Sequence, residues 1–338
     1  MHHTIRLKPL LPTFVPAGFV DVGHSVVREA SSGENLVIVD SVQSLANHLE
    51  ATLIAAPGQV INGLEAMPYV RLTVTDPAGR TRSTSSLELP HRLASGWFCK
   101  AKDLKPFQEA LANDILDNGI AAATFRRCPN SLLHGVFYSQ LAGLDPNVAK
   151  SPRLLSAEVV ARGAQSINDG GVAMDPLFPS GDGFDVEGLV GAKAKAAEVG
   201  AGYILYRHQA FIAREIELSV YLAEGRINRL PLPEPARDLL RLLARTKLAL
   251  LLAEPLDLRA HCIFQVDDQA ALPTEVQNAD GLMADLEACL ETCRQQGLLL
   301  DPPLTEFQLT LGAAKAKAGK GKTKGAATAA VDAEDGEA

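Results

Sequence analysis

Gln43, Ser44, Asn47 and His48 fall within one short stretch of the 338-residue chain. Their amides, hydroxyl and imidazole can donate to phosphate oxygens or to a ribose 2′-OH without demanding a particular base. The same residue types also suit a solvated helix face. A second polar cluster is TSSLELPHRLAS (84–95), which follows Arg80 and Arg82 and contains Ser85, Ser86, His91 and Arg92. A guanidinium offers a planar fork for phosphate, and hydroxyls supplement it. His91 also fits a general base for RNA cleavage, and His91 and Arg92 equally fit pairing with local carboxylates. A third cluster, Arg126, Arg127, Asn130 and His134, brackets a Cys-Pro-Asn-Ser turn. It reads as a phosphate contact or as a charged turn. Arg237, Arg241 and Arg245 recur at helical spacing and form a basic stripe or a solvated face.

Enzyme signatures are missing from the sequence: there is no Walker loop, G-x-G-x-x-G, H-E-x-x-H or G-x-S-x-G. Cys289 and Cys293 stand four apart without a second ligand pair nearby, so they read as helix cysteines and no metal site is expected. No cofactor is expected either. The five cysteines have no framework spacing, no apolar run is long enough to span a membrane, and the N-terminus lacks a signal-peptide core. A reduced, cytoplasmic setting is the expectation.

The net charge of −8 is regional. Between Phe264 and Leu311 nine acidic residues face Arg294 alone, whereas Arg71–Lys105 has seven basic and three acidic residues. A local basic face is therefore compatible with an acidic chain. Residues 1–311 read as folded; 312–338 are small, charged and almost free of large apolar residues, so a disordered tail is predicted.

The elements that must position these clusters follow from hydrophobic periodicity. The Pro/Gly-rich start to Gly33 reads as extended chain and turns. Leu36–Asp40 predicts a strand, followed by a helix with apolar residues at Val42, Leu45, Ala46, Leu49 and Leu53, N-capped by Asp40 or Ser41. Its polar side is expected to show Gln43, Ser44, Asn47, His48 and Glu50. Tyr69–Thr75 predicts a strand ending in the PAGR turn; Leu104–Leu116 predicts a helix; Ser131–Leu141 fits helix or strand. Tyr203–Leu222 is β-rich. Glu234–Ala253 predicts a helix led by Pro235 and closed by Pro255, followed by a strand at Leu256–Val266 and a last helix at Gly281–Gln296. Residues 168–185, crowded with Gly, Pro and Asp, predict a long excursion.

The order of these clusters resembles the CRISPR-associated RAMP protein that forms the backbone of the type I-U (I-G) effector complex. The resemblance rests on PAGFVDVG (16–23), VDSVQSLANHLE (39–50), TSSLELPHRLAS (84–95), NSLLHGVFYSQL (130–141), PRLLSAEVVARG (152–163), FIAREIELSVYLA (211–223) and EPLDLRAHC (254–262). His48 departs from the pattern, where an arginine is usual. The resemblance implies an α+β fold with a ferredoxin-like (RRM-type, RAMP) core over 1–311 and large insertions forming palm, fingers and thumb. The thumb, or a DNA-facing loop, would be 168–185. It implies a non-catalytic subunit that polymerises along a guide RNA. Its partners would be that RNA, the target DNA strand, neighbouring copies and other subunits of the effector complex, with base pairing reading the target. The RNA-binding residues would be Gln43, Ser44, Asn47, His48, Ser85, Ser86, His91, Arg92, Arg126, Arg127, Asn130, His134 and Arg153. An alternative is a RAMP-type endoribonuclease that processes precursor RNA or cuts target RNA, with His91, His134 or Asp169 as the catalytic candidates.

Overall fold

The computed structural model describes residues 1–19, 22–145, 149–174 and 203–312. Alternation of apolar and polar residues builds its main sheet. The strands in chain order are β1 (His2–Pro9), β2 (Val26–Arg28) and β3 (Asn35–Asp40), then, after helix α1 (Val42–Ala51), β4 (Tyr69–Thr75) and β5 (Thr81–Ser85). Helices α2 (Lys105–Arg127) and α3 (Pro129–His134) precede β6 (Leu155–Arg162), β7 (Gln165–Met174), β8 (Tyr203–Ile212) and β9 (Glu215–Leu222). The short helix α4 (Glu224–Arg229) leads to α5 (Glu234–Ala253), the hairpin β10 (Leu256–Arg259) and β11 (Cys262–Val266), helix α6 (Ala279–Gln295) and β12 (Leu304–Thr310).

Seven strands pair in the order β10-β11-β1-β9-β6-β3-β2, each junction antiparallel. On β9 the residues Ile216, Leu218, Val220 and Leu222 are buried, while Glu215, Glu217, Ser219 and Tyr221 take the other face. Helices α1, α3 and α5 cover the apolar face, and α6 packs on the far side of α5. A separate sheet in the order β12-β4-β5 has a parallel β12–β4 pair and an antiparallel β4–β5 pair. Strands β7 and β8 form a two-stranded ribbon that leaves the sheet between β6 and β9. The mixed composition is that of an α+β fold.

Several sequence expectations need adjustment. The segment before Gly33 contributes β1, an interior strand whose Ile5 and Leu7 point inward. Its alternation is short and is masked by Arg6, Lys8 and the prolines that follow. The strand expected at Leu256–Val266 is a hairpin, turned at His261 with φ +61. Ser131–Leu141 is both alternatives in turn: α3 stops at His134, Gly135 takes φ +83, and Val136–Phe137 pairs with Lys150–Ser151. The helix expected at Leu104–Leu116 runs on to Arg127, with non-helical geometry at Gly119. Of the 168–185 excursion, 168–174 belong to β7, and 175–185 lie outside the described residues. So does the tail beyond Gly312.

Candidate nucleic-acid interface

Helix α1 begins where Ser41 accepts a hydrogen bond from the Ser44 amide at 3.3 Å. Leu45, Ala46 and Leu49 face the core, so the period of 3.6 turns Gln43 and Asn47 outward as exposed residues, with Ser44 and His48 half-buried beside them. Glu50, expected on this polar side, is buried instead. It lies four residues beyond Ala46 and therefore on the inward stripe.

Burying a carboxylate is costly unless it is paired and hydrogen-bonded. Arg92 donates to Glu50 through Nε and Nη2, both at 2.7 Å, and Asn130 Nδ2 donates to Glu50 Oε1 at 2.7 Å. Lys247, fully buried in α5, donates to Asn130 Oδ1 at 2.5 Å and lies 2.6 Å from His134 Nε2. Burial pushes the Lys247 amine down to about 7, with Glu50 opposing the shift. Burial, then the charge of Lys247, holds the His134 imidazole well below its usual range, so as a neutral ring it accepts a hydrogen bond from Lys247 at Nε2. Its Nδ1 has no hydrogen-bond partner among the described residues. Arg92 is held at φ +52, a left-handed backbone that costs a non-glycine residue about 1–2 kcal/mol. The bidentate bond to Glu50 fixes it there.

Arg153 joins this network to the surface. Its Nη1 donates to the Val42 carbonyl at 2.7 Å, and its half-buried guanidinium lies within electrostatic reach of both Arg92 and Glu50. Among the described residues its guanidinium has no carboxylate within ion-pair distance, so its other N–H donors can meet solvent or a ligand. Close packing fixes its backbone: a Cβ at Gly135 would stand 2.8 Å from the Arg153 nitrogen. His91, next to the buried Arg92, is exposed. Gln43, Ser44, Asn47 and His48 therefore stand on the outer side of α1, with Arg153 held against its first residue, over the buried polar network.

The other candidates are placed elsewhere. Arg92, Asn130 and His134 are buried in the network, so neither a phosphate contact by these side chains nor general-base action by His134 is open to them in this structure. Ser85 Oγ donates to Glu88 at 2.7 Å, and Ser86 Oγ accepts from the Val70 amide at 3.1 Å; both residues are fully buried and hold the end of β5. Arg127 pairs with Asp114, and Arg126 reaches the same carboxylate at 3.4 Å, tying together the two segments of α2 on either side of Gly119. These two arginines lower the Asp114 carboxyl against the effect of its burial. The Arg237–Arg241 stripe is neutralised by Glu234, Glu224 and Asp238. Asp169 sits on β7, paired with His208 across the ribbon.

Asp40 and Lys247 were missed as functional groups. Asp40 is fully buried and paired with Arg259, and its second oxygen lies 3.9 Å from His48 Nε2. The signal for Lys247 was available, because it falls four residues after Leu243 on the apolar stripe of α5. Among the described residues, no group of three or more His, Cys, Asp or Glu stands together as a metal site, and no helix is long and apolar enough to cross a membrane.

Residues 3–166, just under half of the chain, match a family described as "CRISPR-associated protein GSU0053". The matched segment contains α1, Glu50, Arg92, Asn130, His134 and Arg153, but stops before Lys247. A chain of a "CRISPR RNA-guided surveillance complex, pre-nicking" is similar at 13% identity and a TM-score of 0.34, covering 75% of this chain and 66% of that one. At that level neither a shared fold nor shared contacts follow. No curated protein matches.

Two outcomes test the buried network. Glu50→Gln leaves Arg92 without its counter-charge and is expected to cost about 3–5 kcal/mol in urea unfolding. A loss below about 1 kcal/mol would show that the pair does not anchor α1. The second concerns pH. The unfolded Lys247 amine keeps its proton up to about 10.5, whereas the folded one loses it near 7. Between these values the unfolded state binds the extra proton, so this group makes stability rise with pH; below about 7 its burial cost is fully present. Lys247→Met should flatten that rise, and parallel stability–pH curves for the two proteins would contradict the assignment.

Proposed function

We propose that this chain is a non-catalytic, guide-RNA-binding backbone subunit of a type I CRISPR effector complex of the I-U (I-G) kind. The observation that carries the reading is the match of residues 3–166 to a CRISPR-associated family, a segment that holds the whole α1 surface. The strand order β11-β1-β9-β6 supports a ferredoxin-like RAMP core. In that order, β1 crosses to β6 through α1, α2 and α3, and β9 crosses to β11 through α5. On this reading the ribbon of β7 and β8 is the base of the thumb.

The surface chemistry fits a grip on any guide sequence. Gln43, Ser44 and Asn47 offer neutral donors and acceptors, and Arg153 offers a cationic fork beside them. Such groups satisfy phosphates and riboses without reading bases. Pairing between guide and target DNA then carries the specificity, neighbouring copies continue the track, and other subunits complete the complex.

Co-expression with its CRISPR array should yield a large species carrying a discrete guide-length RNA, seen by size exclusion and by the absorbance ratio at two wavelengths. A protein that stays free of RNA even with its companion subunits present would reject the reading. Arg153→Ala should weaken RNA binding and lower the salt slope by about one unit while the fold survives. An unchanged slope would remove Arg153 from the interface.

A further inference from the structure

Trp97, the chain's only tryptophan, is 41% exposed. An indole left at the surface forgoes apolar burial that its size would otherwise secure, and tryptophan is enriched at interfaces. Here it lines a cleft of about 580 Å³ together with Ala101, Leu309 and Leu311 at the β12 end, and the charged Lys100 and Asp103.

The cleft is preformed. Ser95 Oγ accepts from the Trp97 amide at 3.3 Å, and the Ser95 amide bonds the Arg92 carbonyl at 3.0 Å, which ties the Trp97 wall to the buried network. Gln108 Nε2 clamps the same turn by donating to the carbonyls of Phe98 (3.0 Å) and Ala101 (2.8 Å). Phe107 meets Phe307 of β12 edge to face at 5.2 Å and so fixes the two walls against each other. Lys100 and Asp103 line the cleft, and the exposed Lys102 between them in sequence leaves this turn net positive by one; Lys105 is paired with Glu109 at 3.6 Å.

We propose that this cleft stacks an unpaired nucleobase of a single-stranded nucleic acid on Trp97, with Lys100 taking the adjoining phosphate. The inference rests on the RNA-binding reading and adds what the α1 surface lacks, since none of Gln43, Ser44, Asn47, His48 and Arg153 offers an extended aromatic platform. Base stacking on an aromatic ring tolerates any sequence, as a guide-tracking subunit requires. An apolar protein side chain would fill the same volume, but it would leave Lys100, and Lys102 beside it, unanswered.

A single tryptophan makes the test direct. The full chain is titrated with unlabelled single-stranded oligonucleotides of about 12 nucleotides, as RNA, as DNA of the same sequence, and as blunt duplex, while Trp97 emission is followed. Binding is measured separately by the anisotropy of labelled strands. Single strands should quench Trp97 saturably and duplex should not, because its bases are already stacked; the RNA and DNA arms identify which strand the cleft serves. Trp97→Leu should lower affinity roughly 5- to 100-fold, while Trp97→Phe, which keeps a ring, retains most of it. Unmoved emission at saturating RNA, or full affinity in Trp97→Leu, would overturn the cleft and leave the RNA-binding reading standing. Emission that shifts only when a second protein is added would make it a protein contact and also overturn the proposal. Absence of binding to any strand by anisotropy would remove both readings together.

Discussion

The bidentate bond between Arg92 and Glu50 is the constraint on which the arrangement rests. Taking both charges out of water costs several kcal/mol for each ion, and only complete hydrogen bonding compensates. The carboxylate receives three N–H donors, two from Arg92 and one from Asn130, and Asn130 in turn receives Lys247. Helix α1, the turn before Trp97, the start of α3 and the middle of α5 are thereby locked to one buried point. None of these segments can slide without exposing an uncompensated charge, so the surface polar groups inherit a fixed spacing.

A second consequence concerns how much positive charge the protein can offer a polyanion. Arg127, Arg162, Arg241 and Arg259 are all engaged by acidic side chains of the same chain. These arginines are committed to holding the fold, so among the described residues less positive charge is open to a polyanion than the sequence count suggests. On the proposed reading each copy grips its stretch of guide weakly and mainly through neutral donors. Affinity then accumulates through the number of copies on one RNA, as linked binding events do. The acidic sequence and a nucleic-acid partner are compatible on those terms.

Much of the fold was legible because local signals agreed with one another. Glu234–Ala253 has the bounds expected from Pro235 and Pro255, and α1 starts at the Ser41 cap. Strand β1 was not legible: its alternation spans too few residues, and its place in the sheet interior is decided by β9 and β11, which are distant in sequence. The site divides along the same line. Gln43 and Asn47 could be placed outward from helical period alone. Residue type suggested solvent for Arg92, Asn130 and His134, yet their partners Glu50 and Lys247 come from other elements and draw them inward. Spacing along the chain carries no information about such a network until the topology brings its members together.

The interior position of β1 also dictates the order in which the molecule can be completed. The Met1 amine bonds the Leu222 carbonyl, 221 positions away, and the strand's other neighbour is β11, later still. At a synthesis rate of about 5–20 residues per second, β1 emerges roughly 10–45 s before its first partner exists. During that interval Ile5 and Leu7 have no neighbouring strand to join, and the helices made meanwhile have only the β2, β3 and β6 part of the sheet to pack on. Assembly is therefore late and non-local, a slow class of folding in which nascent chains depend on being shielded from one another until the last strands arrive.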